Sequence, residues 1–134
     1  MYYYVTAQTA KPKPFQFKSD VYEQALREGQ KTVAGWGGEV VLVYWPDSSR
    51  YPGICNYTPQ LRQMYDHTHE AVLGVAGKLN IPVIDLSRSF PDLPGSQSRQ
   101  NTQYFYPYPA HFKPAGYHLA AREILAALEG AKPR

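Results

Sequence analysis

One of the four histidines, His111, stands in a loop rich in proline and tyrosine, three residues ahead of Pro114. An imidazole with a pKa of about 6.5 can take a proton from a weak nucleophile at neutral pH and return it to a leaving group. Such chemistry needs a hydroxyl or thiol nucleophile and a group that orients the imidazole ring. His111 is therefore the first candidate for a general base.

Several residues could complete this chemistry. Asp85, at the end of a predicted strand, and Asp92, in the long loop that follows, are candidates for the carboxylate, and a backbone carbonyl is the alternative. Ser48 and Ser49 directly follow a predicted strand and are candidate nucleophiles, although serine in "PDSSR" is also ordinary turn chemistry. Cys55, the single cysteine, is a weaker candidate because free cysteines more often pack inertly.

Aromatic side chains crowd the sequence around His111. Tyr106, Tyr108 and Phe112 are predicted to line a pocket for an acyl chain or a sugar, and the alternative is that they cover the core. Arg50 lies in the loop after the first predicted strand and is the candidate for contact with an anionic group of a substrate.

The stretch "DHTHE" contains residues that often bind metals. Ligands on one helix face are spaced by three or four residues, so His67 and His69 point apart, whereas Asp66 and His69 satisfy the spacing. We favour the solvated side of an amphipathic helix here, and we expect no metal and no cofactor.

Composition bounds the remaining classes of function. The chain has 134 residues, a net charge of +3 and one cysteine, which excludes an internal disulfide framework. Its basic residues are dispersed apart from "KPKPFQFK" near the N-terminus, so nucleic-acid binding is not expected. No apolar run approaches the roughly 18 residues of a membrane span, no signal peptide is visible, and the compartment is not indicated.

The elements that must position these residues alternate between helix and strand. Residues 1–18 are predicted to be an irregular arm or edge strand, and residues 19–134 a single α/β domain. A helix begins near Asp20, with Glu23 as its capping-box partner, and carries Tyr22, Leu26 and Trp36 on its buried stripe. "EVVLVYWP" (39–46) is typical of a strand that is buried on both faces of a parallel sheet.

The second half of the chain completes a βαβ unit. Thr58 is the predicted N-cap of a long helix with Pro59 at its first position, and "IPVIDLS" follows as a second strand. The crossover between parallel strands should be right-handed. After a long loop, Pro114 opens a last helix whose predicted core face holds Tyr117, Ala121, Ile124 and Leu128 and which Gly130 stops. Ligands in such sheets bind beyond the carboxyl ends of the strands, where His111 is expected.

"HFKPAGYHLAAREI" resembles the last conserved block of the SGNH/GDSL hydrolase superfamily, in which a histidine precedes a terminal helix and a glycine follows it by five residues. His111 and Gly116 match that spacing. The resemblance implies a flavodoxin-like three-layer sandwich, an esterase or acyl hydrolase activity, and His111 as the general base. The implied substrate is a small ester or an acylated carbohydrate.

This chain departs from the family pattern in three places. Tyr108 stands where the family has the aspartate that orients the histidine, Lys113 replaces a common asparagine, and no "GDS" or "GxND" block occurs in the 134 residues. We therefore expect a C-terminal portion of such a hydrolase, with the nucleophilic serine outside this chain. The alternative is a non-catalytic α/β remnant that dimerises through an open sheet edge.

Overall fold

Three helices and two short strands make up the regular structure in a computed structural model, which describes residues 17–54, 57–90, 101–106 and 111–130. Cys55, Asp92, Tyr108 and most of the predicted N-terminal arm lie outside these ranges. The elements, in chain order, are α1 (Ser19–Ala34), β1 (Leu42–Tyr44), α2 (Pro59–Lys78), β2 (Val83–Asp85) and α3 (Pro114–Gly130). A 3₁₀ turn, Leu86–Arg88, directly follows β2, and another, Ser48–Arg50, begins after residues 45–47 that follow β1.

β1 and β2 form a parallel two-stranded sheet, which confirms the predicted small parallel α/β sheet. The register pairs Leu42 with Val83 and Tyr44 with Asp85. The predicted strand over 39–46 is shorter than expected, and the residues of both strands are half-buried, not buried on both faces. The reason is that the described part of the sheet has no third strand to cover its edges.

The strands separate two hydrophobic cores because successive side chains of a strand point to opposite faces. Leu42 and Val83 pack with residues of α1 and α2, while Val43 and Ile84 pack with residues of α3 and the segments beside it. The first cluster contains Tyr22, Leu26, Val75, Ala76, Leu79 and Ile81, and the second contains Tyr51, Leu86, Phe90, Phe105 and Ala120.

α2 begins as its sequence predicts. The Thr58 hydroxyl accepts a hydrogen bond from the Leu61 amide at 3.0 Å, and Pro59 occupies the first helical position. Both features satisfy or remove amide donors that have no partner within the helix.

α1 differs from its prediction at both ends. It begins at Ser19 with Lys18 as an N-cap that makes no side-chain cap, so the capping box of Asp20 and Glu23 is wrong. Glu23 instead accepts from Arg27 at 2.7 Å, one helical turn later. Trp36, predicted on the buried stripe, is 72% exposed because the helix already ends at Ala34.

α3 has the predicted extent but presents a different face to the core. Gly116 and Ala120 are its buried residues, whereas Tyr117 and Leu128 are 55% and 44% exposed. Of the predicted core face only Ile124 packs against the core. The face was misassigned because the helix is rich in alanine and leucine on all sides, so its hydrophobic pattern does not select one stripe.

Candidate functional site

His111 lies at the end of a short antiparallel pairing that leads into α3. The Tyr106 amide donates to the His111 carbonyl oxygen at 2.8 Å, and the Lys113 amide donates to the Tyr104 carbonyl oxygen at 2.8 Å. These two hydrogen bonds fix the main chain from the His111 carbonyl group to Lys113, while His111 itself is exposed to solvent.

Phe112 ties this turn to the sheet. Its ring packs against Trp45 at 4.9 Å and against Phe105 at 4.8 Å between centroids, and Phe105 and Phe112 form an antiparallel bridge. Trp45 is the residue that directly follows β1. The His111 turn therefore lies beside the carboxyl end of β1, the edge at which ligands bind in parallel α/β sheets.

Gly116 is required by the same turn. A Cβ at this position would lie 2.7 Å from the Tyr104 carbonyl oxygen and 2.9 Å from a ring carbon of Phe112. Such distances are too short for any side chain, so the first turn of α3 can approach the Phe105–Phe112 bridge only with glycine here. The spacing between His111 and Gly116 thus has a physical cause in this fold.

Asp85, one of the two predicted carboxylate partners, makes no contact with His111 in the described structure. Within residues 17–54, 57–90, 101–106 and 111–130 the His111 ring has no hydrogen bond or ion pair. Asp92 and Tyr108 lie outside these ranges. Asp85 contacts a different histidine, His69.

Asp85 and His69 form a polar pair between β2 and α2. His69 Nε2 lies 3.0 Å from Asp85 Oδ2, and the side chains are only 16% and 9% exposed. The other carboxylate oxygen of Asp85 accepts from the Ser87 amide at 3.0 Å and the Ser87 hydroxyl at 2.6 Å. Arg88 Nε approaches Asp85 Oδ2 at 3.3 Å from the solvent side. Asp85 therefore has no oxygen left without a partner.

These contacts change the electrostatics at the strand end. Burial alone would raise the pKa of Asp85, but the hydrogen bonds from Ser87 and the neighbouring His69 outweigh it, so the pKa is lowered. The Tyr44 ring packs on the His69 ring at 4.4 Å between centroids. Burial raises the pKa of the Tyr44 hydroxyl. The nearby Arg50 lowers this pKa without reversing the direction, and the charge of Asp85 raises it further. Asp85 is thus held ionised and Tyr44 neutral around His69.

The order of this cluster differs from that of a catalytic triad. In a triad the histidine stands between the serine and the carboxylate, so that it can take the serine proton. Here the carboxylate stands between His69 and Ser87. Ser87 is consequently a donor to Asp85 and is not activated as a nucleophile by His69.

His69 is the residue that sequence reasoning assigned to a solvated helix face. Its spacing of three from Asp66 was the visible signal, but Asp66 pairs with Arg50 and Arg62 at 2.7 and 3.5 Å instead. The sequence feature that points to the pairing of His69 is the position of Asp85 at the end of a strand. The parallel register places Asp85 on the α2 side of the sheet, where it meets His69.

The predicted substrate contacts occupy varied positions. Arg50 is 14% exposed and its guanidinium is bound to Asp66, so it is engaged within the protein. Tyr106 is 44% exposed, with the Lys113 ammonium 5.4 Å from its ring centre, and Phe112 is half-buried. Ser48, the candidate nucleophile, is 3% exposed inside the 3₁₀ turn after β1.

Among the described residues, no group of three or more histidine, cysteine, aspartate or glutamate side chains is placed to hold one metal ion. In the same part of the chain no helix has the length and apolar character needed to cross a membrane.

No protein-family model, no curated protein and no solved structure matches this chain. Membership of the SGNH superfamily therefore stays a prediction, which rests on the residues around His111 and on the order of the elements that precede them.

Proposed function

We propose that this chain is the C-terminal portion of an SGNH-like esterase or acyl hydrolase with a flavodoxin-like three-layer fold. His111 is its general base, and the nucleophilic serine belongs to a segment outside these 134 residues. The substrate class is a small ester or an acylated carbohydrate.

The observation that carries the proposal is the location of His111. It is an exposed histidine on a fixed main-chain turn, immediately before α3 and beside the carboxyl end of a parallel strand. The close packing of Gly116 gives further support, because it explains why a glycine follows the histidine by five residues. The two helices on one sheet face and the third on the other are also compatible with part of a three-layer sandwich.

In this proposal the His111 imidazole takes the proton from the serine hydroxyl as its oxygen attacks the ester carbonyl carbon. The imidazolium then returns that proton to the alkoxide that leaves, and a water molecule releases the acyl group from serine by the same sequence. Tyr106 and Phe112 flank the histidine and would contact the acyl or sugar group.

The proposal is tested first on the chain as it stands. A fluorophosphonate adds covalently only to an activated serine, so the intact mass of the purified 134-residue chain should not change. An adduct that maps to Ser48 or Ser49 and disappears in His111→Ala would instead show that the chain carries its own nucleophile.

The second test uses the reading frame that surrounds the sequence. If this frame continues into a strand followed by a "GDS" block, the longer product should form the adduct and hydrolyse an activated ester. His111→Ala should slow both reactions at least about a hundredfold, the lower range for a general base, whereas the exposed His118→Ala serves as the matched control. A frame without such a block, together with no labelling of the 134-residue chain, would refute the proposal.

A second candidate function is supported by the sheet. β1 and β2 are each an outer strand of the described sheet, and both are only half-buried. We infer as the alternative a non-catalytic α/β module that dimerises through an open sheet edge. In that case Val41→Lys, at a 37% exposed position just before β1, should convert a dimer into a monomer.

A further inference from the structure

The outer face of α3 carries a stripe of apolar side chains that point away from the core. Tyr117, Leu125 and Leu128 are 55%, 57% and 44% exposed, and Ala121 lies between them on the same side of the helix. Trp45, 39% exposed, extends the stripe because its ring lies 5.8 Å from that of Tyr117. These five residues are called the α3 outer face below.

The size of the α3 outer face suits a small protein interface. Each of its four large side chains offers roughly 100 Å² of exposed surface, about half of what such a side chain can bury, or roughly 400 Å² together. The smallest stable interfaces bury about 600 Å² per partner, of which roughly two thirds is apolar. A surface depression of about 440 Å³ lined by Pro114, Tyr117, His118 and Ala121 gives the face a concave part.

Charges beside the α3 outer face are self-complementary. Arg122 and Glu129 are exposed and lie seven residues apart, close to two helical turns, so they share one flank of α3. When two copies of a helix pack antiparallel, the same flanks meet. An alignment centred directly beside Leu125, between residues 125 and 126, then places Arg122 of each copy opposite Glu129 of the other. The existing contact of Arg122 with Glu123 is long, 3.6 Å, and exposed, which leaves the guanidinium able to turn to a partner.

We propose that the α3 outer face is a homodimer interface in which two α3 helices pack antiparallel, with the twofold axis beside Leu125. Two Arg122–Glu129 ion pairs, one on each side of the twofold axis, set the register. This inference is independent of the proposed hydrolase activity, and it uses a surface distinct from the sheet edge.

Sedimentation equilibrium of the full 134-residue chain tests the interface. The wild-type chain should have the mass of a dimer, and Leu125→Glu should raise the dimer Kd at least about a hundredfold because the substitution occurs twice in each dimer. Val21→Glu is the matched control, since Val21 is a 58% exposed helical residue on α1. Circular dichroism verifies that both variants keep their helices.

A charge-reversal series tests the register. Arg122→Glu and Glu129→Arg should each weaken the dimer, and the double variant should restore the wild-type Kd to within about threefold. A monomeric wild-type chain would overturn the proposal. That is the result expected if a different part of a larger protein covers this face. A dimer that Val41→Lys dissociates and Leu125→Glu does not would also overturn it, in favour of the sheet edge. Failure of the double variant to recover would refute the antiparallel register.

Discussion

Replacing Asp85 should destabilise the fold by an amount that its contacts define. Its carboxylate accepts two hydrogen bonds from Ser87 and one from His69, and it is 9% exposed. Hydrogen bonds to a buried charged group contribute about 1.5–3 kcal/mol, and donors left without a partner add a desolvation cost. We expect Asp85→Ala to lower the free energy of unfolding by about 2–4 kcal/mol. Asp85→Asn, which keeps one acceptor oxygen for Ser87, should cost about 1–2 kcal/mol.

The effect of Asp85 should also depend on pH. Its folded-state pKa is lowered below the ordinary value, so the folded state favours the ionised carboxylate more than the unfolded chain does. The resulting stabilisation is complete above the unfolded pKa, about 3.9, and is lost as the pH falls through the lower folded pKa. Wild type should therefore lose part of its stability below about pH 4, and Asp85→Asn should lack that part of the decline.

Urea unfolding between pH 2.5 and about pH 8, at one fixed protein concentration, measures both effects. Glu70→Gln is the control, because it removes the same charge from an exposed position of α2. Equal stability and equal pH slopes for wild type and Asp85→Asn would refute the reasoning, and so would an equal loss in Glu70→Gln. A double-mutant cycle with His69→Gln should give a coupling of about 0.5–3 kcal/mol between the two side chains.

Substitutions at four further positions test the packing that positions the site, each by the free energy of unfolding in urea. Thr58→Ala should cost about 1 kcal/mol through loss of the α2 cap. Thr58→Ser keeps a hydroxyl and should retain most of the stabilisation that the cap provides. Gly116→Ala should cost about 1–3 kcal/mol because its Cβ would meet the Tyr104 carbonyl oxygen. Gly74→Ala, with nothing within 4 Å of its Cβ inside α2, should instead stabilise by about 0.5–1 kcal/mol, and the opposite order of the two glycines would contradict the α3 packing. Leu86→Ala, at a fully buried position, should cost about 2–5 kcal/mol, and a loss below about 1 kcal/mol would argue against the second core cluster.

The elements and their order could be predicted because their signals are local. Thr58 and Pro59 specify the start of α2 through hydrogen bonds and backbone geometry within one turn. The two apolar segments on either side of α2 predict a parallel pair, since parallel neighbours need a long crossover connection, which is usually a helix. Pro114 likewise marks the first residue of α3.

What could not be predicted depends on contacts between distant segments. The buried face of α3 is set by the close approach of Gly116 to Tyr104 and Phe112, which no helical periodicity contains. The pairing of His69 with Asp85 depends on the parallel register and on the angle at which α2 crosses the sheet. A spacing rule applied along α2 alone predicts that Asp66 contacts His69, but in the tertiary structure Asp66 forms an ion pair with Arg50.

Strand alternation separates the two histidines that stand near the carboxyl end of the sheet. Tyr44 points to the α2 side and packs on His69, whereas Trp45, the next residue, packs on Phe112 beside His111. The strand-end carboxylate of Asp85 lies on the α2 side, and all its described hydrogen bonds go to His69 and Ser87. Asp85 therefore cannot orient His111 without breaking a nearly buried pair. If His111 is a general base, the group that orients its ring must be Asp92, a main-chain carbonyl, or a residue of the segment that supplies the serine.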